Sequence, residues 1–96
     1  MDARELLRQR RAEIISIAAR HGARNVRLIG SVARSEDDSA SDIDLLVDLD
    51  IGRSLLDHAA LIEELTALLG RKVDVVTERG LRQAVRNRAL PEAVPL

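Results

Sequence analysis

Three aspartates and a glycine–serine pair are the residues of this chain whose types and spacing suit metal-assisted chemistry. Ten residues separate the pair Gly30-Ser31 from the motif Asp42-Ile43-Asp44, and Asp74 lies in a later apolar run. Carboxylate oxygens, together with substrate phosphates, are the ligands that Mg²⁺ usually takes in proteins. The pattern therefore indicates a phosphate cradle beside carboxylates that hold magnesium against a nucleoside triphosphate.

Gly30 and Ser31 stand where a strand is expected to turn into a short helix. The segment Val26–Ile29 is predicted as the strand, and glycine lets the backbone turn sharply and approach a ligand without a side chain in the way. A helical turn over residues 31–34 would present free N–H groups and a positive dipole end to a phosphate, and the serine hydroxyl adds a donor. A Gly-Ser pair is also common at strand ends, so the pair alone does not specify a site.

The two aspartates of the Asp-x-Asp motif are expected on one face of a strand. Side chains alternate along a strand, so Asp42 and Asp44 share the face opposite to the apolar residues that begin with Ile43. Their Cα atoms would lie about 7 Å apart, which lets both carboxylates reach metal ions about 4 Å from each other. Asp48 and Asp50 have the same parity, but they lie about 13 Å or more beyond Asp44, and we exclude them from the site.

The Asp-x-Asp motif has a purely structural interpretation as well. Such a pair also fits an Asx turn that leads into a strand. Like charges at close range repel unless a cation or a partner neutralises them, so two aspartates on one face favour a functional site. Asp74 is flanked by Val73 and Val75 and would point away from the core, as Asp42 and Asp44 do on the neighbouring strand.

The composition narrows the classes of function. The 96 residues include no Phe, Tyr or Trp, so the core must be aliphatic and this chain cannot stack aromatic rings on nucleobases. Fifteen basic and sixteen acidic residues leave a formal net charge of −1, which gives no overall field for nucleic acid. The chain has no cysteine, no apolar stretch of membrane-spanning length and no signal-peptide core, so we expect a cytoplasmic protein with no membrane contact.

The apolar periodicity predicts one α/β domain over residues 1–96. We expect a small mixed β-sheet with helices packed on one face, which leaves the other face for the carboxylates. The arginines of the first helix lie largely outside its apolar stripe and are expected on a solvated surface. The predicted elements are a helix from Asp2 to His21 ended by Gly22, a strand over Val26–Ile29, a helical turn over 31–34, a polar loop over 35–41, a strand over Ile43–Leu49, a helix from Ser54 to Gly70, a strand over Lys72–Thr77 and a helix over Leu81–Leu90.

The combined motifs resemble a known family over nearly the whole chain. The run Gly30-Ser31-Val32-Ala33-Arg34, followed by Ser41 to Val47 and then by Val73 to Val76, is similar to the minimal nucleotidyltransferases of the polymerase-beta-like superfamily, and most closely to the MNT antitoxin family. Two positions depart from the family pattern. Ile29 stands where an aromatic residue is frequent, which changes the packing beneath the turn, and Ser35 stands where glycine is frequent, which stiffens the loop.

The resemblance implies a role for each motif residue. Gly30 and Ser31 would bind the triphosphate, and Asp42 and Asp44 would be metal ligands. Asp74 would be the third carboxylate, which ligates the catalytic metal and helps to deprotonate the attacking hydroxyl. Arg34 matches the family's arginine, and both a phosphate contact and a role on the helix surface are open for it.

The resemblance also implies cofactors and a partner. Members of this family pair with a HEPN-type toxin, and the better-understood ones transfer AMP from ATP to a toxin tyrosine with two Mg²⁺ ions, so a hetero-oligomer is expected. A non-catalytic antitoxin that only binds its toxin is the alternative. Transfer of nucleotides to an RNA 3′ end is a third possibility, which the near-neutral charge disfavours because direct contact with nucleic acid generally needs a basic track.

Overall fold

The computed structural model describes residues 2–36, 38 and 41–96 of the chain, so the predicted loop over 35–41 lies partly outside the described residues. The described elements, in chain order, are α1 (Ala3–Gln9), α2 (Arg11–Arg20), β1 (Ala23–Ile29), α3 (Gly30–Ala33), β2 (Ile43–Leu49), α4 (Leu55–Leu69), β3 (Val73–Thr77), α5 (Gln83–Glu92) and β4 (Val94–Pro95). The four strands form one sheet in the order β3-β2-β1-β4. β1 pairs antiparallel with β2 and β4, whereas β2 and β3 are parallel, so the predicted mixed α/β fold is confirmed.

Apolar side chains cover both faces of this sheet, to different extents. Residues of α1 to α4 pack with Leu45, Val47 and their neighbours in the larger core. On the opposite face, Ile29 and Leu46 pack with Ala89 of α5 in a smaller cluster. The prediction that the helices share one face therefore holds for α1 to α4, while α5 covers part of the face that carries the aspartates. The periodicity of α5 did not reveal this because the helix buries a single residue, Ala89.

The first predicted helix is two helices, α1 and α2, which meet at Arg10. Asp2 caps α1 as expected, since its side chain accepts a hydrogen bond from the backbone N–H of Glu5 at 2.8 Å. Leu7 and Ile14 are buried, but the residues between them are exposed and mostly charged. With no large apolar side chain to hold that stretch against the sheet, the helix bends where it lacks an anchor.

The ends of the chain's other elements follow local chemistry. Ser54 and Asp57 form a capping box at the start of α4, and Gly70 ends that helix with a left-handed φ of 66°. β1 begins three residues earlier than predicted and contains an irregular step between Arg24 and Arg27. α5 begins two residues later than predicted and ends two residues later, at Glu92; Pro91 is tolerated because it sits in the last turn and interrupts few helical hydrogen bonds.

Two features were not predicted. β4 pairs its two residues with Arg27 and Leu28 at the edge of the sheet, where a proline without an N–H group is tolerated. The segment from Ile51 through the first turn of α4 exposes Ile51, Leu55 and Leu56, whose relative accessibilities are 95%, 84% and 81%. The cap of α4, and not apolar burial, therefore orders that segment. Across the residues that the structure describes, no helix is long and apolar enough to cross a membrane.

Candidate active site

The strand register brings the aspartates of two strands together at one end of the sheet. In the parallel pairing of β2 and β3, Asp44 lies directly opposite Asp74. Neighbouring strands are about 4.8 Å apart, and paired residues point to the same face, so these two carboxylates are close neighbours. Asp42 precedes β2 by one residue and shares the parity of Asp44. The end of the sheet thus gathers the three aspartates that the sequence predicted as a site.

Gly30 lies beside Asp44 at this end of the sheet. Ile29, its predecessor, pairs with Asp44 across β1 and β2, and Gly30 has a left-handed φ of 77°. A β-carbon built at Gly30 would lie 2.5 Å from Oδ2 and 3.3 Å from Cβ of Asp44, so any side chain here would have to displace the Asp44 carboxylate. Glycine is therefore required here for two reasons, the backbone conformation and the space beside the carboxylate.

The short helix α3 places Ser31 at the turn, as predicted. Ser31 is half-buried, and its hydroxyl makes no hydrogen bond within the described part of the chain. Arg4 of α1 donates hydrogen bonds to the carbonyl oxygens of Val32 and Ala33, from Nε at 3.2 Å and from Nη2 at 2.5 Å. The sequence placed Arg4 on a solvated face, yet this side chain holds the end of α3. The periodicity of the first predicted helix gave no sign that Arg4 contacts Val32, which lies 28 residues further along the chain.

Like charges shape the electrostatics of the aspartate group. Partial burial raises the pKa of Asp44 above its ordinary value, and the negative charges of Asp74 and Asp42 raise it further. Arg34 and Lys72 oppose this rise. Lys72, which the sequence did not single out, places Nζ 3.6 Å from Oδ2 of Asp42 in an exposed ion pair. Within the described residues, the side-chain carboxylates of Asp44 and Asp74 make no hydrogen bond or ion pair. The group therefore carries negative charge that the protein only partly neutralises.

Arg34 lies at the edge of the same end but is engaged by two glutamates. Its Nε donates to Glu36 at 3.0 Å and its Nη1 donates to Glu92 of α5 at 3.2 Å. These hydrogen bonds, that of Glu36 first, raise the pKa of the guanidinium, which stays charged. A phosphate contact by Arg34 would require it to exchange one of these carboxylates for the ligand.

A groove of about 590 Å³ opens from Gly30 and Asp44 along α5. Its volume is in the range of small-molecule sites, about 300–1,000 Å³. The side chains that line this groove are charged near Arg34 and apolar near Leu81. The groove is lined by Ile29, Gly30, Arg34, Asp44, Val76, Leu81, Val85, Arg88, Ala89 and Glu92.

The aspartates do not form a ready-made metal cage. Among the described residues, no group of three or more His, Asp or Glu side chains is close enough to hold a metal ion. The donor set of Asp42, Asp44 and Asp74 nonetheless has the chemistry of a magnesium site, since Mg²⁺ is usually held by one or two carboxylates plus substrate phosphates. Gly30 and Asp44 both line the groove, so a phosphate in it would lie next to the glycine backbone and the carboxylate.

Asp48 and Asp50, at the far end of β2, are bound to basic or amide side chains. Oδ1 of Asp48 accepts a hydrogen bond from Nη2 of Arg27 at 3.0 Å, and Oδ2 accepts one from Nδ2 of Asn25 at 3.1 Å. Asp50 accepts a hydrogen bond from Nε of Arg24 at 3.0 Å. These aspartates brace the irregular step of β1, where Asn25 has a φ of 53°.

Known proteins are similar to this chain in sequence. The protein adenylyltransferase MntA of Thermococcus cleftensis is 40% identical over 75 residues, which are 78% of this chain and 76% of that protein. A candidate protein adenylyltransferase of Methanocaldococcus jannaschii, MJ0435, is 43% identical over 82 residues, 85% of this chain and 88% of its own length.

Solved structures share the fold. A candidate minimal nucleotidyltransferase with 54% identity superposes with a TM-score of 0.86 and covers 96% of this chain and 94% of its own. A toxin–antitoxin structure with AMP-PNP has a TM-score of 0.75 at 20% identity, covering 88% of this chain and 69% of its own, and shows the fold alone. The sequence profile described as the nucleotidyltransferase domain matches residues 10–95. The chain therefore belongs to the nucleotidyltransferase domain family, and its enzyme class is that of a nucleotidyltransferase.

Proposed function

We propose that the protein is an antitoxin that transfers AMP from ATP to a tyrosine of a HEPN-type toxin, with two Mg²⁺ ions. The observation that carries the proposal is the pairing of Asp44 with Asp74 at the end of a groove that Gly30 and Asp44 both line. This arrangement combines carboxylates for metal ions with a close approach for phosphate. A relative with 40% identity is named a protein adenylyltransferase, which supports AMP as the transferred group.

The partner follows from the composition and from the comparisons. The 96 residues contain no tyrosine, so a tyrosine acceptor must belong to another chain. Structural neighbours of this fold include toxin–antitoxin assemblies, one of them with AMP-PNP. An antitoxin role therefore gives both the acceptor and the reason for the transfer, because modification of the toxin would neutralise it.

The residues divide the chemistry between them. The backbone N–H groups at Gly30 and Ser31 hold the β- and γ-phosphates. The phenolic oxygen of the acceptor attacks the α-phosphorus, a new P–O bond forms, and the bond to the β-phosphate oxygen breaks so that pyrophosphate leaves. Asp74 helps to take the phenolic proton and releases it to solvent. Two Mg²⁺ ions, held by Asp42, Asp44 and Asp74, would supply charge neutralisation at the attacking and leaving oxygens.

The unneutralised charge of the aspartates supports the magnesium part of the proposal. Burial and like charges disfavour the ionised form of Asp44 in the protein alone. A divalent cation with a triphosphate would remove this repulsion, so saturating Mg²⁺ and ATP should raise the melting temperature. The same result is not expected from Na⁺ at equal ionic strength.

Co-expression with a candidate HEPN-type toxin tests the proposal. Intact-mass measurement should show the toxin heavier by one AMP group with the wild-type protein and unmodified with the double variant Asp42→Ala/Asp44→Ala. Glu63→Ala, which removes an exposed carboxylate from α4, is the control and should still modify the toxin. Protection by the double variant without any added mass would show an antitoxin that acts by binding.

A further inference from the structure

We propose that the groove between α5 and the sheet binds the nucleoside part of the triphosphate, with Val85 and Arg88 as its main contacts. The inference rests on the proposed function, because it assumes that the phosphates lie at Gly30 and Ser31. It adds a subsite for the base, to which the sequence alone assigned no residue.

The groove has a polar end and an apolar end in the right order. At the polar end lie Gly30, Asp44 and the Arg34–Glu92 ion pair, and the groove continues to the apolar side chains of Val76 and Leu81. A nucleotide has the same polarity, with a charged triphosphate joined to a nearly uncharged base. With its phosphates at Gly30, the base would extend over the apolar end.

α5 presents one face to this groove. Val85, Arg88 and Glu92 line it, and their spacing of three and four residues places them on the same side of a helix. Val85 is 38% exposed and is not part of either apolar core, so its burial by a base would gain apolar contact. The face of α5 therefore fits a flat apolar ligand better than it fits the protein's own packing.

Arg88 is the side chain available for stacking. Within the described part of the chain its guanidinium has no hydrogen-bond or ion-pair partner, whereas Arg34, in the same groove, has two. The chain has no aromatic ring, and nucleobases also stack on the planar guanidinium group of arginine. Arg88 can therefore take the place that an aromatic residue holds in other nucleotide sites.

Photolabelling of the wild-type protein with 8-azido-ATP and Mg²⁺ tests the position of the base without any substitution. Proteolysis and mass spectrometry should locate the label in α5 or at Leu81, and excess ATP should prevent it. A label confined to another segment would overturn the inference while leaving nucleotide binding, and with it the proposed function, intact.

Binding measurements separate the base from the phosphates. Val85→Glu and Arg88→Ala should each weaken ATP binding about 10-fold and leave tripolyphosphate binding within about 2-fold, in line with the free energy of base stacking. Leu56→Glu and Arg79→Ala, exposed positions outside the groove, are the matched controls and should change neither. Equal losses for ATP and tripolyphosphate would place these side chains at the phosphates and overturn the inference. A wild-type protein that binds neither ligand and modifies no toxin would overturn the proposed function and the inference with it.

Discussion

The two ends of β2 carry the same residue type at the same spacing but differ in what surrounds it. Asp48 and Asp50 accept hydrogen bonds from Arg27, Asn25 and Arg24. Asp44 has a third like charge, Asp74, opposite it in the next strand. One pair is neutralised by the protein, whereas the other is neutralised only in part, through the exposed ion pair of Asp42 with Lys72.

This difference teaches that cross-strand partners, and not the motif, decide the role of an aspartate. Arginines on β1 turn the far pair into a brace for the irregular step near Asn25. At the near end, β1 offers Ile29 and then a glycine, which supply no cation. The absence of a cation from β1 leaves the near end suited to metal ions and phosphate.

Removal of the carboxylates at the near end should have the largest effect. Asp42→Asn, Asp44→Asn and Asp74→Asn should each lower the rate of AMP transfer about 1,000-fold, which corresponds to about 4 kcal/mol of lost transition-state stabilisation. Initial rates of toxin modification, followed by intact mass at saturating ATP and Mg²⁺, measure this effect. Near wild-type rates for all three variants would contradict the proposed site.

Substitutions at Gly30, beside the Asp44 end of β2, and at Gly52, beyond its far end, compare how much backbone freedom each end of the strand needs. Both have a left-handed φ, 77° and 90°, but a β-carbon at Gly30 meets Asp44 and one at Gly52 meets nothing within 4 Å. Gly30→Ala should cost about 2–4 kcal/mol of unfolding free energy and remove activity, whereas Gly52→Ala should cost about 1–2 kcal/mol from strain alone. Urea unfolding measures both costs, and equal costs would argue against the close approach to Asp44.

Asp48→Asn should destabilise the protein without removing its activity. The amide carries no charge, so the ion pair with Arg27, whose side chain is 12% exposed, is lost, and Asn25 must turn its amide over to keep its hydrogen bond. The expected cost is about 1–2 kcal/mol of unfolding free energy, with transfer rates within about 3-fold of wild type at a temperature where the variant is folded. A stability equal to wild type would show that the brace contributes nothing.

Asp44→Asn should have the opposite effect on stability at neutral pH. The folded-state pKa of Asp44 is raised, so its ionised form costs stability, and the amide should increase the unfolding free energy when no ligand is bound, by less than about 1 kcal/mol because solvent screens this half-exposed group. The cost in the wild type develops as pH rises through the raised pKa and is absent below the ordinary value of about 3.9. The difference in melting temperature between the two proteins should therefore disappear as the pH falls from 7 to 3.5. A difference that is independent of pH would show another cause.

Ser35→Gly should have the smallest effect. Ser35, which follows α3, has a left-handed φ of 58°, and Asn25, near the start of β1, has one of 53°, but serine tolerates this conformation less well than asparagine. Glycine relieves the strain and loses more backbone entropy on folding, so we expect a net stabilisation of about 0–1 kcal/mol. Asn25→Gly is the control and should not stabilise the protein. Thermal unfolding of both variants measures the difference, and a clear loss of stability in Ser35→Gly would contradict it.

Much of the local structure could be predicted because it depends on neighbours in the sequence. The bounds of β2, the cap of α4 at Ser54 and its end at Gly70 follow from alternation, capping chemistry and backbone conformation. The break at Arg10 and the strand β4 were missed. The first results from a stretch with too little apolar anchorage, and the second is a two-residue pairing that carries no periodicity.

The sequence by itself determined the family, the mixed α/β fold and the shared face of the Asp-x-Asp pair. The tertiary structure decided which aspartates are neutralised, and it decided that α5 covers part of their face and forms a groove with them. The ion pair between Arg34 and Glu92 of α5 is an example of a contact between distant parts of the sequence, since the two residues lie 58 positions apart. Periodicity and spacing report on a residue's own element, whereas charge neutralisation and grooves arise between elements whose contacts depend on the packing of the whole chain.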